Sequence, residues 1–153
     1  MIVSVTDFNK IRRTIRESKG KEIVFTSPDD ELARKVLEKE NISILLISQA
    51  GRKDKLKQRD SGFNQVLAKL AKKKNVAIGI DLDEIIESNA EEKAEILARI
   101  RQNVKLCNKN KLKMKFLSME NSSKRSRVEA RSQYDLKALG LVLGMPTWMT
   151  KDL

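Results

Sequence analysis

Residues 62–80 read GFNQVLAKLAKKKNVAIGI and contain one complete helix-to-strand unit. Phe63, Val66, Leu67, Leu70 and Ala71 recur with the period of a helix. Asn75 breaks that pattern, and Val76-Ala77-Ile78-Gly79-Ile80 follows as a short apolar run. A strand that is apolar throughout, rather than alternating, is buried on both faces, as strands of parallel sheets are. The same alternation repeats outward from this unit. On its N-terminal side, Ile2–Val5, Glu22–Thr26 and Ile42–Ile47 read as three strands. Asp7 caps a helix that carries Phe8, Ile11 and Ile15 on one face, and Gly20 ends it. Ser27-Pro28-Asp29-Asp30 opens the next helix, with Ser27 at the cap and an apolar stripe of Leu32, Ala33, Val36 and Leu37. On the C-terminal side, Ser88 and Glu91 form a capping box for a long helix lined by Ile96, Leu97, Ile100 and Val104. Met114–Leu117 reads as the fifth strand. Ser132 and Asp135 start a short helix through Leu139 that Gly140 stops. Leu141-Val142-Leu143 reads as a sixth, very short strand.

Six β-α units joined by right-handed crossovers leave two architectures, a doubly wound open sheet or a (β/α) barrel. A full eight-fold barrel takes about 250 residues. The 153 residues here suit one domain spanning 1–153, and a barrel of that length must be a shortened one.

The chain has no histidine, one cysteine and a formal net charge of +11. Without histidine there is no Ser-His-Asp triad, no Cys-His dyad and no histidine acid/base pair. Histidine-based zinc sites are excluded, and Cys107 alone makes neither a disulfide nor a thiolate cluster. One free cysteine fits a reducing, cytoplasmic setting. The longest apolar run is far too short to span a membrane. Neither a dinucleotide fingerprint nor a P-loop lysine motif occurs.

The positive charge is uneven. Residues 61–80 hold four bases and no acid, and residues 105–131 hold nine bases and two acids, whereas residues 81–104 hold three bases and seven acids. The excess falls on Gly51–Arg59, on Lys72-Lys73-Lys74 and on Lys105–Arg131. A single basic run is commonly just solvated, but three together point to a polyanion-binding face. With aromatic residues at 4%, base stacking is not the main mode of binding.

The candidate contacts follow. Arg52, Lys53, Lys55, Lys57 and Arg59 lie on a loop after the third strand, where they either converge on a phosphate backbone or solubilise the loop. Lys72, Lys73 and Lys74 end a helix, where they contact phosphates or offset the dipole. Ser122, Ser123, Lys124, Arg125 and Arg127 follow the fifth strand, where hydroxyls and Arg forks suit phosphate oxygens and either contact RNA or a partner or form a mobile basic loop. Arg131 and Asp135, four apart at a helix start, make either a structural pair or an RNA contact. Arg12, Arg13 and Arg16 form a solvated helix face. Asp81, Asp83 and Glu84 follow the fourth strand, where two carboxylates with waters could hold Mg²⁺ or simply start a helix; no metal site is assigned. Trp148, in the tail beyond Pro146, either packs in the core, the favoured reading, or anchors the terminus or a partner.

The second half resembles a known family. Residues 62–80, then Ile85-Ile86-Glu87-Ser88-Asn89 with the long helix behind it, resemble the archaeal ribonuclease P protein component 3 family, which is related to the eukaryotic thirty-kilodalton RNase P subunit. So do Phe116-Leu117-Ser118, Ser122-Ser123, Arg131, Asp135-Leu136, Leu139-Gly140 and Gly144-Met145, in that order. The first 48 residues fit only as generic β-α units. Against the family pattern the chain is about two β-α units short, carries Gln133 where the family has proline, and holds three extra residues between Leu117 and Ser122. The resemblance implies a TIM-like barrel of about six parallel strands, with Asp135, Leu139 and Gly140 as structural motif residues. It also implies a non-catalytic subunit of the particle that removes the 5′ leader of precursor tRNA. The partners implied are the catalytic RNA, precursor tRNA indirectly, and protein component 2. No cofactor is expected on the chain, since Mg²⁺ would be held by the RNA. A shortened barrel leaves edge strands, so self-association or a covering partner is expected. Two other readings share the charge pattern or the fold: a stand-alone basic α/β RNA- or DNA-binding module, and a metal-dependent phosphoesterase.

Overall fold

The computed structural model describes residues 1–18, 20–119, 131–151 and 153. Five strands form one parallel sheet: β1 Ile2–Val3, β2 Val24–Thr26, β3 Ile44–Leu46, β4 Ala77–Asp81 and β5 Met114–Leu117. The helices are α1 Phe8–Glu17, α2 Asp30–Lys39, α3 Gln65–Lys74, α4 Leu82–Glu87, α5 Ala90–Asn110, α6 Gln133–Val142 and α7 Thr147–Thr150. The strand order is sequential, β1-β2-β3-β4-β5. Right-handed crossovers that always step the same way put every crossover helix on one face of the sheet. That is the wall of a barrel, and it excludes a doubly wound sheet, whose order reverses at a switch point.

Side-chain alternation splits the apolar residues accordingly. Val3, Phe25, Leu45, Ile78, Ile80, Met114 and Phe116 join the large core beneath the helices. Val24, Ile44 and Leu46 form a second cluster on the other face, with Ile2, Ala77 and Leu117 packed against it. Ile44 and Leu46 are almost fully buried. No helix of the described residues contributes to that cluster, so the sheet buries this face by curling about it. Gly79 shows how tightly it curls. A Cβ there would lie 2.9 Å from Leu117 Cδ1 and 3.0 Å from Leu46 Cδ1. Lys115 crosses the same face to Glu22 at 2.8 Å, linking β5 to the entry of β2. Among the described residues β1 and β5 each pair on one side only, so the arc has two edges.

Several local expectations are corrected. Among the described residues there are five strands rather than six. Leu141 and Val142 continue α6, because Leu136, Gly140 and Leu143 share its buried side while Leu141 and Val142 are exposed. Gly140 is a packing position inside that helix, where an added Cβ would come within 2.8 Å of Leu153 Cδ1. The stop is Gly144, at φ +92°, with Met145 N–H donating to the Gly140 carbonyl at 2.9 Å. Ser27 does not cap α2. Its hydroxyl accepts from Asp29 N–H, and Asp29 is the cap, accepting from Glu31 and Leu32 N–H at 2.9 and 3.2 Å. Ser88 likewise gives way to Asn89, which accepts from Glu92 N–H at 3.0 Å, because Ser88 terminates the unforeseen helix α4. Asn75 does end α3, in the left-handed region at φ 56°.

Candidate nucleic-acid interface

The loop from Ser48 to Gly62 is organised by a buried cation that no sequence signal singled out. Arg99 projects from α5 with 2% of its surface exposed. Its guanidinium donates to Asp54 Oδ1 at 2.9 Å, to the Gln49 carbonyl at 3.2 Å, to the Arg52 carbonyl at 2.9 Å and to Glu95 at 3.3 Å. Asp54 also accepts Asp60 N–H at 2.8 Å. The Arg99 hydrogen bond, then the Asp60 amide, hold the Asp54 carboxyl below the ordinary carboxylate range. Gln49 Nε2 ties both loop ends together through the Ile47 and Ser61 carbonyls, at 2.9 and 3.0 Å.

On this frame the predicted basic residues separate. Arg52 is committed inward. Its guanidinium makes two parallel bonds to Asp30, at 2.7 and 3.1 Å, and donates to the Ser48 carbonyl at 2.6 Å. It also lies where a Cβ on Gly62 would sit, 2.4 Å away. Lys53, Lys55, Lys57 and Arg59 are exposed. Lys55 and Gln58 exchange backbone hydrogen bonds at 2.9 and 3.1 Å, which projects Leu56 and Lys57 at the tip of a tight turn.

The acidic residues after β4 serve as fasteners. Glu84 accepts from the Ser48 hydroxyl and from Gln49 N–H, the latter at 2.9 Å. Asp83 Oδ2 accepts from the Ser118 hydroxyl at 2.7 Å and Met119 N–H at 2.9 Å. The carboxyl ends of β3, β4 and β5 are thereby tied through α4. No group of three or more acidic or thiol side chains among the described residues is placed to hold a metal ion.

Asp81 caps α4 by accepting from Asp83 N–H at 2.9 Å. Burial, reinforced by Glu84 and Asp83, raises its carboxyl from 3.8 to about 6. The folded state therefore holds this proton more tightly than the unfolded chain. The stability it contributes is full below about pH 4 and is lost as pH rises through about 6. Asp81→Asn keeps the cap and removes the charge. It should raise the melting temperature at pH 7 by about 2–4 °C, equivalent to about 1 kcal/mol for a half-exposed group after solvent screening. The difference from wild type should vanish at pH 4. Calorimetry at the two pH values checks this.

Lys72, Lys73 and Lys74 lie at the opposite end of the sheet from the Gly51–Arg59 loop. The loop leaves the carboxyl end of β3, whereas the lysines immediately precede the amino end of β4. Lys72 and Lys73 are exposed, and Lys74 is half-buried. Here α3 meets the end of α5. Gln65 Nε2 donates to Asn110 Oδ1 at 2.9 Å, and Lys72 Nζ donates to the Lys111 carbonyl at 2.9 Å. Trp148 is half-buried and packs against the edge of the core. Its indole N–H donates to Asn108 at 3.2 Å, and the Lys111 ammonium sits 5.4 Å from the ring centroid.

Ser122, Ser123, Lys124, Arg125 and Arg127 lie outside the described residues. Arg131 is exposed beside Ser132, which caps α6 by accepting from Asp135 N–H at 3.1 Å. Arg13 pairs with Glu17 on a solvated face, whereas Arg12 reaches across to the buried Glu40 at the end of α2.

Comparison with known proteins fits this architecture. Two curated relatives are ribonuclease P protein component 3 from Thermococcus kodakarensis and from Thermococcus gammatolerans. Each is 27% identical over 144 residues, 94% of this chain, and the chain spans 61% and 63% of their lengths. A chain in a cryo-EM structure of archaeal ribonuclease P with mature tRNA superposes with a TM-score of 0.76 at 22% identity, covering 98% of this chain and 62% of that one. Those figures establish a common fold. The match to the family described as RNase P subunit p30 runs over residues 2–152, including the first two β-α units, which motifs alone did not distinguish. The chain belongs to the RNase P subunit p30 family.

Proposed function

We propose that the chain acts as a protein subunit of ribonuclease P. It binds the catalytic RNA, neutralises phosphates and so promotes removal of the 5′ leader of precursor tRNA. The observation that carries this reading is the family match from residue 2 to residue 152, which takes in every strand of the sheet. The chemistry belongs to the RNA, which holds the Mg²⁺, and the protein lowers the repulsion that folding that RNA must overcome. The absence of histidine accords with a helper role. Ribonuclease P protein component 2 is the proposed protein partner, and it or a second copy would cover an edge of the sheet. The particle works in the cytoplasm; no described helix is long and apolar enough to cross a membrane.

Reconstitution tests the proposal. Adding this chain with component 2 to the cognate RNA should raise precursor-tRNA cleavage at low Mg²⁺, and the chain without RNA should not cleave. Cleavage by the chain alone would establish an enzyme instead. RNA binding with neither stimulation nor association with component 2 would establish a stand-alone binding module.

A further inference from the structure

We infer that the outer face formed by α3 and the second half of α5 is the surface on which this protein docks a double-stranded RNA backbone. The inference rests on the proposed function and locates its RNA contact. The face carries Lys69, Lys72 and Lys73 from α3, Lys105 and Lys109 from α5, and Lys111 just beyond it, all exposed. Neither contributing stretch, 61–80 or 96–119, contains an acidic residue.

Elsewhere this protein builds solvated helix faces differently. Arg13 pairs with Glu17 on α1, and Arg34 pairs with Glu38 on α2, each four residues apart, at 2.8 and 3.0 Å. That mixed pattern is how an ordinary soluble surface avoids a one-sign field. On α3 and α5 the lysines have no acid within their own stretches to pair with. Offsetting the helix dipole accounts for cations in the last turn. It does not account for Lys69 or Lys105, each five residues before the final residue of its helix.

The face is also held in shape. The Gln65–Asn110 and Lys72–Lys111 hydrogen bonds fix α3 against α5. Lys105 and Lys109 are about 6 Å apart along α5. Opposite them, on the buried side of α5, Ile100, Val104 and Cys107 sit in the core. Two rows of cations on rigid helices suit the regular phosphates of an A-form duplex, which proteins read by shape and backbone. Trp148, beside Lys111, is already engaged by that ammonium and by Asn108, and the six positions of the face are all lysine, so the face offers charge rather than a platform for stacking unpaired bases.

The test compares two sets of substitutions in the full chain. One combines Lys69→Gln, Lys73→Gln, Lys105→Gln and Lys109→Gln. The other combines Lys53→Gln, Lys55→Gln, Lys57→Gln and Arg59→Gln in the loop after β3. Each is titrated against a short RNA duplex of mixed sequence and against the cognate ribonuclease P RNA, with melting temperatures as a folding control. The α3–α5 variant should lose affinity for both RNAs by about fivefold per contacting lysine at 0.15 M salt. Its salt slope should become shallower by about one per contacting lysine. The matching Lys→Arg set should restore both. Wild-type affinity and slope in the α3–α5 variant, with the loss confined to the loop variant, would overturn this assignment and leave the function intact. A wild-type chain that binds neither RNA would overturn the function itself.

Discussion

Replacing Arg99 with methionine should lower the melting temperature by about 6–12 °C. The size follows from what the side chain does. Arg99 is 2% exposed and its guanidinium holds Asp54, Glu95 and two loop carbonyls. Methionine fills the space of the aliphatic stem, so the cost is that of the lost polar contacts rather than a cavity. Removing one partner of a buried pair costs about 3–5 kcal/mol, and the lower end applies because Asp54 is 32% exposed and can recover water. In a chain of this size each kcal/mol moves the midpoint by about 2–4 °C. Arg99→Lys should rescue little, since three donors on a single ammonium nitrogen cannot span the acceptors that the guanidinium reaches from three separate nitrogens. The loop should also become accessible to proteases between Gln49 and Ser61, whose carbonyl Gln49 holds. An unchanged midpoint with a protected loop would show that Arg99 is not its anchor.

The same residue marks where sequence reading stops. Its neighbours in the chain, Ile96, Ile100 and Val104, announce a buried helix face by their period. Arg99 falls on that face as well, and an arginine there reads as a break in the pattern. Apart from Glu95, its partners lie 45 to 50 residues away, and no local signal links Arg99 to Asp54 or Gln49. Arg52 shows the converse. It counts as one of five cations in a basic loop, yet its bidentate bond to Asp30 commits it to the fold.

Strand positions were legible because buried parallel strands are apolar without alternation, as at residues 77–80 of β4. Their extents were not. The run Ile2–Val5 yields a strand of two residues, because only Ile2 and Val3 have partners on β2. The short run Leu141-Val142-Leu143 misled for the reason that apolar triplets do. Only the contact of Leu136, Gly140 and Leu143 with the core separates a helix end from a strand. The caps failed at Ser27 and Ser88 by one or two places, since serine, asparagine and aspartate all cap well and the geometry chooses among adjacent candidates. The basic runs were each found, but sequence could not show that β3 and β4 send two of them to opposite ends of the sheet, nor that Lys105 and Lys109 stand beside α3.

Affinity for the catalytic RNA should fall about 10³-fold when salt rises from 50 to 200 mM. Six exposed lysines occupy the α3–α5 face, with no acid in either stretch to neutralise them. Each lysine that meets a phosphate displaces condensed counterions, so the logarithm of affinity falls linearly with the logarithm of salt, with a slope of about −0.9 per contact. Six contacts give a slope of about −5, and a fourfold rise in salt then removes about three decades. Recognition by hydrogen bonds to particular bases would give a shallow slope and a strong sequence preference instead. A titration of the full chain against the cognate ribonuclease P RNA across that salt range, with an unrelated RNA duplex in parallel, measures this directly. A steep slope shared by both RNAs is the expected result. Binding that is insensitive to salt would contradict it.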